Sequence, residues 1–365
     1  MSRKIALWVL FVCLLPGVVY AQAQVPSKSA APTLDSIIAG ARREGRLDLV
    51  WSESSMGGFK GTAALEKLIN QKYGLNLKFN FTAGPDMTLM ATKVLQENKA
   101  GVAATSDVYL GNAALYAPLY KADVLLAVDW KKVFPHFPDK SVELGGRAVW
   151  VWSGDRGIDY NTNLVSPAEV PRNTTDVLKP KWKGKIASTP YAAGFDRWAD
   201  MIGEEKVDAF MQVFTKEYVR GLIRCAGEEE RVARGEFAMF LFNCSNNEVL
   251  LLKEAGAPID YVIPKDAASL SPFYMAIPKH AAHPNVAMLY MAALQTKEGQ
   301  DIVWNFSRSG SHLVKDSNYA LWFEKEFKDV KNIKVFTAEY LVEHGDRLQK
   351  LLAKYRGMLL SGSKK

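Results

Sequence analysis

One unit recurs along this chain: a short hydrophobic strand, a loop of small residues, then an amphipathic helix. Residues 47–51 (LDLVW) read as a strand that runs into Ser52-Glu53-Ser54-Ser55-Met56-Gly57-Gly58, and a helix follows over about residues 62–72. Residues 77–81 alternate apolar and polar side chains, the mark of a second strand. They open into Thr82-Ala83-Gly84-Pro85-Asp86 and a helix with Met87, Met90, Val94 and Leu95 on one face. Residues 107–110 form a third strand ending at Gly111-Asn112-Ala113. This order predicts an α/β fold with mostly parallel sheets flanked by helices. Each loop then lies at the carboxyl end of its strand, where open α/β sheets bind ligands.

The pattern breaks between Ile158 and Pro190 and then resumes. Before the break, residues 148–152 (AVWVW) form a strand directed towards Tyr160-Asn161-Thr162, and a loop punctuated by Pro167, Pro171 and Pro180 follows. Afterwards come a strand at 185–188, a loop from Thr189 to Phe195, a helix at 204–216, and strands at 237–242 and 259–263. Residues 271–278 read as a return crossing. At 365 residues the chain exceeds what one hydrophobic core usually serves. Two lobes are therefore expected, residues 33–147 with 270–312 and residues 148–269, with a helical segment at 313–365 packed on them. Few crossings between two lobes leave a cleft that can close on a ligand.

Arg3 and Lys4 precede an apolar run over residues 5–19, followed by Val19-Tyr20-Ala21 and Ala21-Gln22-Ala23. This is the pattern of a secretory leader over residues 1–23, cut near Ala21 or Ala23. No later run reaches the roughly 18 apolar residues of a membrane span, so a periplasmic protein is expected. Loss of Arg3 and Lys4 takes the formal charge from +7 to +5. The remaining cations are scattered among acids, which speaks against a nucleic-acid surface. Cys225 and Cys244 each end an apolar run, and export permits either a disulfide between them or two separate buried thiols. There is no G-x-S-x-G elbow and no H-E-x-x-H helix, so hydrolytic catalysis is not expected. The five histidines show no ligand pattern, and His280 and His283 read as an exposed loop before Pro284.

Several ordered segments carry a resemblance. They are Glu44-Gly45-Arg46-Leu47; Ala104-Thr105-Ser106-Asp107-Val108; Tyr160-Asn161-Thr162 with Asp176 to Lys185 (DVLKPKWKGK); and Pro278 to Asn285 (PKHAAHPN) leading to Glu298-Gly299-Gln300. In this order the chain resembles the extracellular solute-binding proteins of bacterial ABC transporters, in the branch that includes ferric-iron-binding proteins. The resemblance spans roughly residues 34–314. It implies a type 2 periplasmic-binding fold and delivery of a small ligand from the cleft to a membrane permease. It departs at one place. Ferric-binding relatives carry adjacent tyrosines in the loop where this chain has Phe242-Asn243-Cys244-Ser245-Asn246, and amides with a hydroxyl are poor ligands for ferric iron. Glu53 and Tyr191 remain as hard oxygen ligands, so a ferric-binding protein stands as the alternative, beside a sensor subunit that docks on a membrane receptor.

Three of the expected cleft loops end at helix N-termini, which favour anions. The expected site takes Ser52, Glu53 and Ser54 from the first loop, Gly84 and Asp86 from the second, and Gly111 and Asn112 from the third. Tyr191, Ala193 and Gly194 follow, then Phe242, Asn243, Ser245 and Asn246, with Phe273 and Tyr274 as an aromatic wall. Arg197 lies near one loop and reads as an anion clamp or a surface salt bridge. The expected ligand is a small organic anion, bound by a monomer with no cofactor and no metal.

Overall fold

The computed structural model describes residues 32–224, 227–243 and 246–362. The expected leader, Cys225, Cys244 and Ser245 lie outside them. Thr33 opens α1 (Leu34–Glu44) with a capping box to Ser36, and Gly45 closes it in the left-handed region at φ 71°. There follow β1 (Arg46–Trp51), α2 (Gly58–Tyr73), β2 (Lys78–Ala83) and α3 (Met87–Ala100), then β3 (Tyr109–Asn112), α4 (Tyr116–Lys121) and α5 (Trp130–Val133). Asp86 caps α3, its carboxylate accepting from the Thr88 and Leu89 amides. The strand expected at 107–110 begins two residues later, because Val108 makes only an isolated parallel bridge to Leu49.

The middle of the chain supplies β4 (Val142–Glu143), β5 (Ala148–Asp155), β6 (Ile158–Asn161), β7 (Ile186–Ser188), α6 (Phe195–Ile202) and α7 (Glu204–Val213). Then come β8 (Val219–Leu222), α8 (Glu230–Ala233), β9 (Met239–Leu241), α9 (Asn247–Glu254) and β10 (Ile259–Val262). The chain finishes with β11 (Ser269–Ala276), α10 (Pro284–Ala293), α11 (Lys297–Ser307), α12 (Asn318–Phe327), β12 (Lys334–Val335) and α13 (Ala338–Gly362).

Among the described residues the strands form three sheets. β1 and β2 pair in parallel; a second sheet has the order β10-β6-β9-β7-β8; a third has the order β12-β11-β5-β4, with β3 also on β11. The expectation of mostly parallel sheets needs correcting. β7 is parallel to both its neighbours, but β6 is antiparallel to β9 and β10, and β11 is antiparallel to β3 and β5. The antiparallel pairs arise where strands cross between sheets. β5 belongs to the third sheet and continues through Asp155-Arg156-Gly157 into β6 of the second, and β10 returns to β11. Residues 148–161 are thus two strands on either side of a crossing.

Burial follows this division. One apolar cluster gathers Ile37, Leu49, Trp51, Val149, Met275 and Leu289 around β1, β5 and α10. Another joins Met90 and Tyr116 from the first part of the chain to Phe195, Phe214 and Phe242 from the middle, through Leu341, Leu348, Leu351 and Tyr355 of α13. At its start α13 is pinned to the third sheet. Glu339 accepts from the Leu144 amide at 3.0 Å, and the Glu339 amide donates to Glu143 at 3.1 Å. Further along, Lys354 pairs with Glu204 and Asp208 of α7 at 2.7 and 2.6 Å.

Candidate ligand cavity

A cavity of about 720 Å³ opens where these elements meet. Its walls come from Thr88 at the start of α3, Asn112 at the end of β3, the segment from Ala114 to Lys121, the Tyr191–Arg197 turn, Ser271 and Phe273 of β11, and one face of α13. The volume suits a small organic molecule. Two other hollows, beside Trp130 and beside His312, draw no residue from the second sheet or its helices.

The most unusual groups in the cavity are two guanidiniums. Arg156 sits in the crossing between β5 and β6, so its position is set by two strands at once. Its Nη1 donates to the Asn243 carbonyl at 2.8 Å. Arg197 lies in the first turn of α6, 7% exposed, and its Nη1 donates to the Ser271 hydroxyl. The Arg197 guanidinium also lies 5.5 Å from the centre of the Phe336 ring. Among the described residues neither arginine has a carboxylate within salt-bridge distance, and the buried Nε of each donates to nothing. Burial and then repulsion from Arg197 push Arg156 down to about 10. Burial lowers Arg197 as well, partly offset by Asp196. Both remain cations at neutral pH. A buried cation without a hydrogen-bonded counter-ion is costly, and a bound anion would supply one.

The turn before α6 is shaped for this purpose. Ala192 takes φ 56° and Gly194 φ 108°. A Cβ on Gly194 would fall 2.8 Å from the Phe242 ring, so only glycine allows the turn to pack against that ring. The Gly194 amide donates to Asp196 at 3.0 Å, fixing the carboxylate beside the arginines.

Of the residues expected at the site, Asn112, Tyr191, Ala193 and Phe273 line this cavity. Phe273 stacks on Trp152 with ring centres 4.0 Å apart. Gly194 and Asp86 shape or cap the surrounding elements. The other described ones face elsewhere. Asn243 is fully buried: its Oδ1 accepts from the Gly157 amide at 2.8 Å, and its Nδ2 donates to Asn246 and Asp159. Asn246 in turn donates to Asp155. Both asparagines therefore hold the crossing that carries Arg156. Phe242 packs against Phe195 and Trp198. The Tyr274 hydroxyl is engaged by Glu143 and the Ala338 amide. Ser52 and Ser54 bond to each other, Glu53 is exposed, Gly84 abuts Val50, and Gly111 abuts the Tyr109 ring. None of these lines the cavity.

Two readings change. Arg197 is a buried cavity residue and makes no surface salt bridge, because α6 turns its first residues inward. His283 is buried rather than exposed. Its Nδ1 lies 2.7 Å from Asp107, whose carboxylate also accepts from the His283 and Asp48 amides. With Asp48 these groups lie within 4.8 Å of one another, but the Asp107 oxygens are already taken by N–H donors that hold α10 against β1. Sequence reasoning missed Arg156, Ser271 and the α13 face. A charge inside Ser153-Gly154-Asp155-Arg156-Gly157, between two apolar strands, was the available signal.

An α/β chain whose three sheets are joined by two strand crossings beside a charged cavity has the type 2 periplasmic-binding fold of solute-binding proteins. Residues 107–332 match the model of the bacterial extracellular solute-binding proteins, and the chain belongs to that family. It is 29% identical over 129 residues to the Fe(3+)-binding periplasmic protein of Serratia marcescens. That match takes in 33% of this chain and 34% of the relative, about a third of its length. Iron-bound HitA from Pseudomonas aeruginosa superposes with a TM-score of 0.67 at 18% identity, over 85% of this chain and 99% of that one. AfuA from Actinobacillus pleuropneumoniae, with fructose-6-phosphate bound, gives 0.62 at 21% identity, over 87% and 99%.

Proposed function

We propose that the protein is the solute-binding component of an ABC importer and that it captures a small organic anion between Arg156 and Arg197. The carrying observation is the pair itself: two sheltered guanidiniums that line one cavity and repel each other, with undonated Nε groups and, among the described residues, no carboxylate within salt-bridge distance. A lone ferric ion is a poor occupant, since both cations repel it and Glu53 is not among the lining residues. AfuA was solved with a sugar phosphate, which gives the anion reading a precedent on this fold. Residues 33–147 with 270–312 form one lobe in this reading, residues 148–269 the other, and 313–365 pack on both. The protein works as a monomer in the periplasm after removal of its leader near Ala21 or Ala23. It binds its ligand without altering it and passes it to an inner-membrane permease.

The test is mass spectrometry of small molecules released on denaturing the protein purified from its periplasm. An anion that returns chemically unchanged, and that raises the melting temperature of wild type far more than that of Arg156→Met, supports the reading. Release of ferric iron with a tyrosinate absorption band overturns it.

A further inference from the structure

We infer that α13 is a wall of the ligand site and selects an anion with an apolar body, a reading that rests on the anion site proposed above. α13 begins beyond residues 107–332, the segment shared with the family model, so this wall belongs to the part of the chain outside that match. Leu341, Gly345, Leu348, Leu352 and Arg356 all line the cavity. They recur every three or four residues, so they form one stripe along the helix. The stripe shares the cavity with Ala114, Leu115 and Ala117, from the segment on which α13 packs.

The distribution of polarity decides the ligand class. Thr88, Lys121, Tyr191, Asp346, Gln349 and Arg356 are exposed, so their polar ends are already hydrated. Among the sheltered lining residues, polar side chains are confined to Asn112, Arg156, Asp196, Arg197 and Ser271. Apart from Gly345, the remaining sheltered surface is hydrocarbon and the Phe273 ring. A polyol held there would leave hydroxyls without partners, each at a cost of about 1–3 kcal/mol. An aliphatic or aromatic acid places its charge on the guanidiniums and its body on the leucines, and loses nothing comparable.

Gly345 supplies the test. A Cβ built on it meets nothing within 4 Å, so a larger side chain there grows into the cavity without a clash. It also replaces a helix-interior glycine, which favours the fold. Calorimetric titration of wild type, Gly345→Leu and Arg156→Met with phenylacetate, hexanoate, fructose 6-phosphate and inorganic phosphate separates the outcomes. Phenylacetate or hexanoate should bind at least about 10-fold tighter than fructose 6-phosphate, a difference of about 1.4 kcal/mol. Gly345→Leu should weaken them by a similar factor while its urea midpoint stays equal or rises. If fructose 6-phosphate binds tightest, or Gly345→Leu leaves the affinities unchanged while Arg156→Met abolishes them, the apolar wall is refuted and the anion site stands. If no probe binds the wild type, both readings fall.

Discussion

Replacing Arg156 with methionine separates a residue kept for a ligand from one kept for the fold. Its drop from 12.5 to about 10 corresponds to about 3 kcal/mol against the charged form in the folded protein. Methionine removes that penalty and fills similar space with apolar atoms. It also removes the charge-assisted bond to the Asn243 carbonyl, worth about 1.5–3 kcal/mol. The two contributions nearly cancel, so the ligand-free variant should unfold within about 2 kcal/mol of wild type in urea. An arginine that balances a buried carboxylate would instead cost about 3–5 kcal/mol on removal. Affinity for probe anions such as phenylacetate or fructose 6-phosphate should meanwhile fall about 10- to 100-fold, the loss of one charge-assisted contact. Stability and affinity measured on the same preparation make the test internal. A variant that loses 3 kcal/mol or more of stability, or that binds both probes as wild type does, would refute the assignment.

Other consequences follow from buried groups. Glu229 has no exposed surface, and burial raises it to about 7. The folded state keeps this proton where the unfolded chain has released it, so its contribution to stability is full below about pH 4.5 and lost as pH rises through 7. Glu229→Gln should therefore gain up to about 3 kcal/mol over wild type at pH 8 and little at pH 4, read from urea melts. His312 behaves oppositely. Burial lowers it to about 4, so the unfolded chain takes its proton first and stability is lost as pH falls from about 6.5 towards 4. His312→Gln should flatten that acid limb. Asn243→Ala removes the acceptor of the Gly157 amide and two donated bonds in a fully buried setting, and should cost about 3 kcal/mol or more in a urea melt. Asp86→Ala removes the α3 cap and should cost about 1 kcal/mol, measured the same way.

The strand-loop-helix order, the two crossings and the family were legible because they rest on local periodicity and on ordered short segments. Strand direction was not, since β6 and β11 look like any other apolar run until their partners are known. The site was legible only where a loop residue faces the cavity because of its own element, as Asn112, Tyr191, Ala193 and Phe273 do. Asn243 and Tyr274 have the right chemistry, but tertiary partners consume it. Arg156 and the α13 stripe were hidden for the converse reason. They reach the cavity through contacts between segments far apart in sequence, Arg156 beside Arg197 and α13 across α4 and α6, and no local pattern reports such a meeting.

A crystal structure of the protein carrying the anion recovered from its own periplasm is the most direct measurement. The acidic group should lie about 3 Å from the guanidinium nitrogens of both Arg156 and Arg197, with the rest of the molecule against α13. Density for the ligand beside Trp130, or a metal ion held by Glu53 and Tyr191 with the arginines unoccupied, would contradict the account.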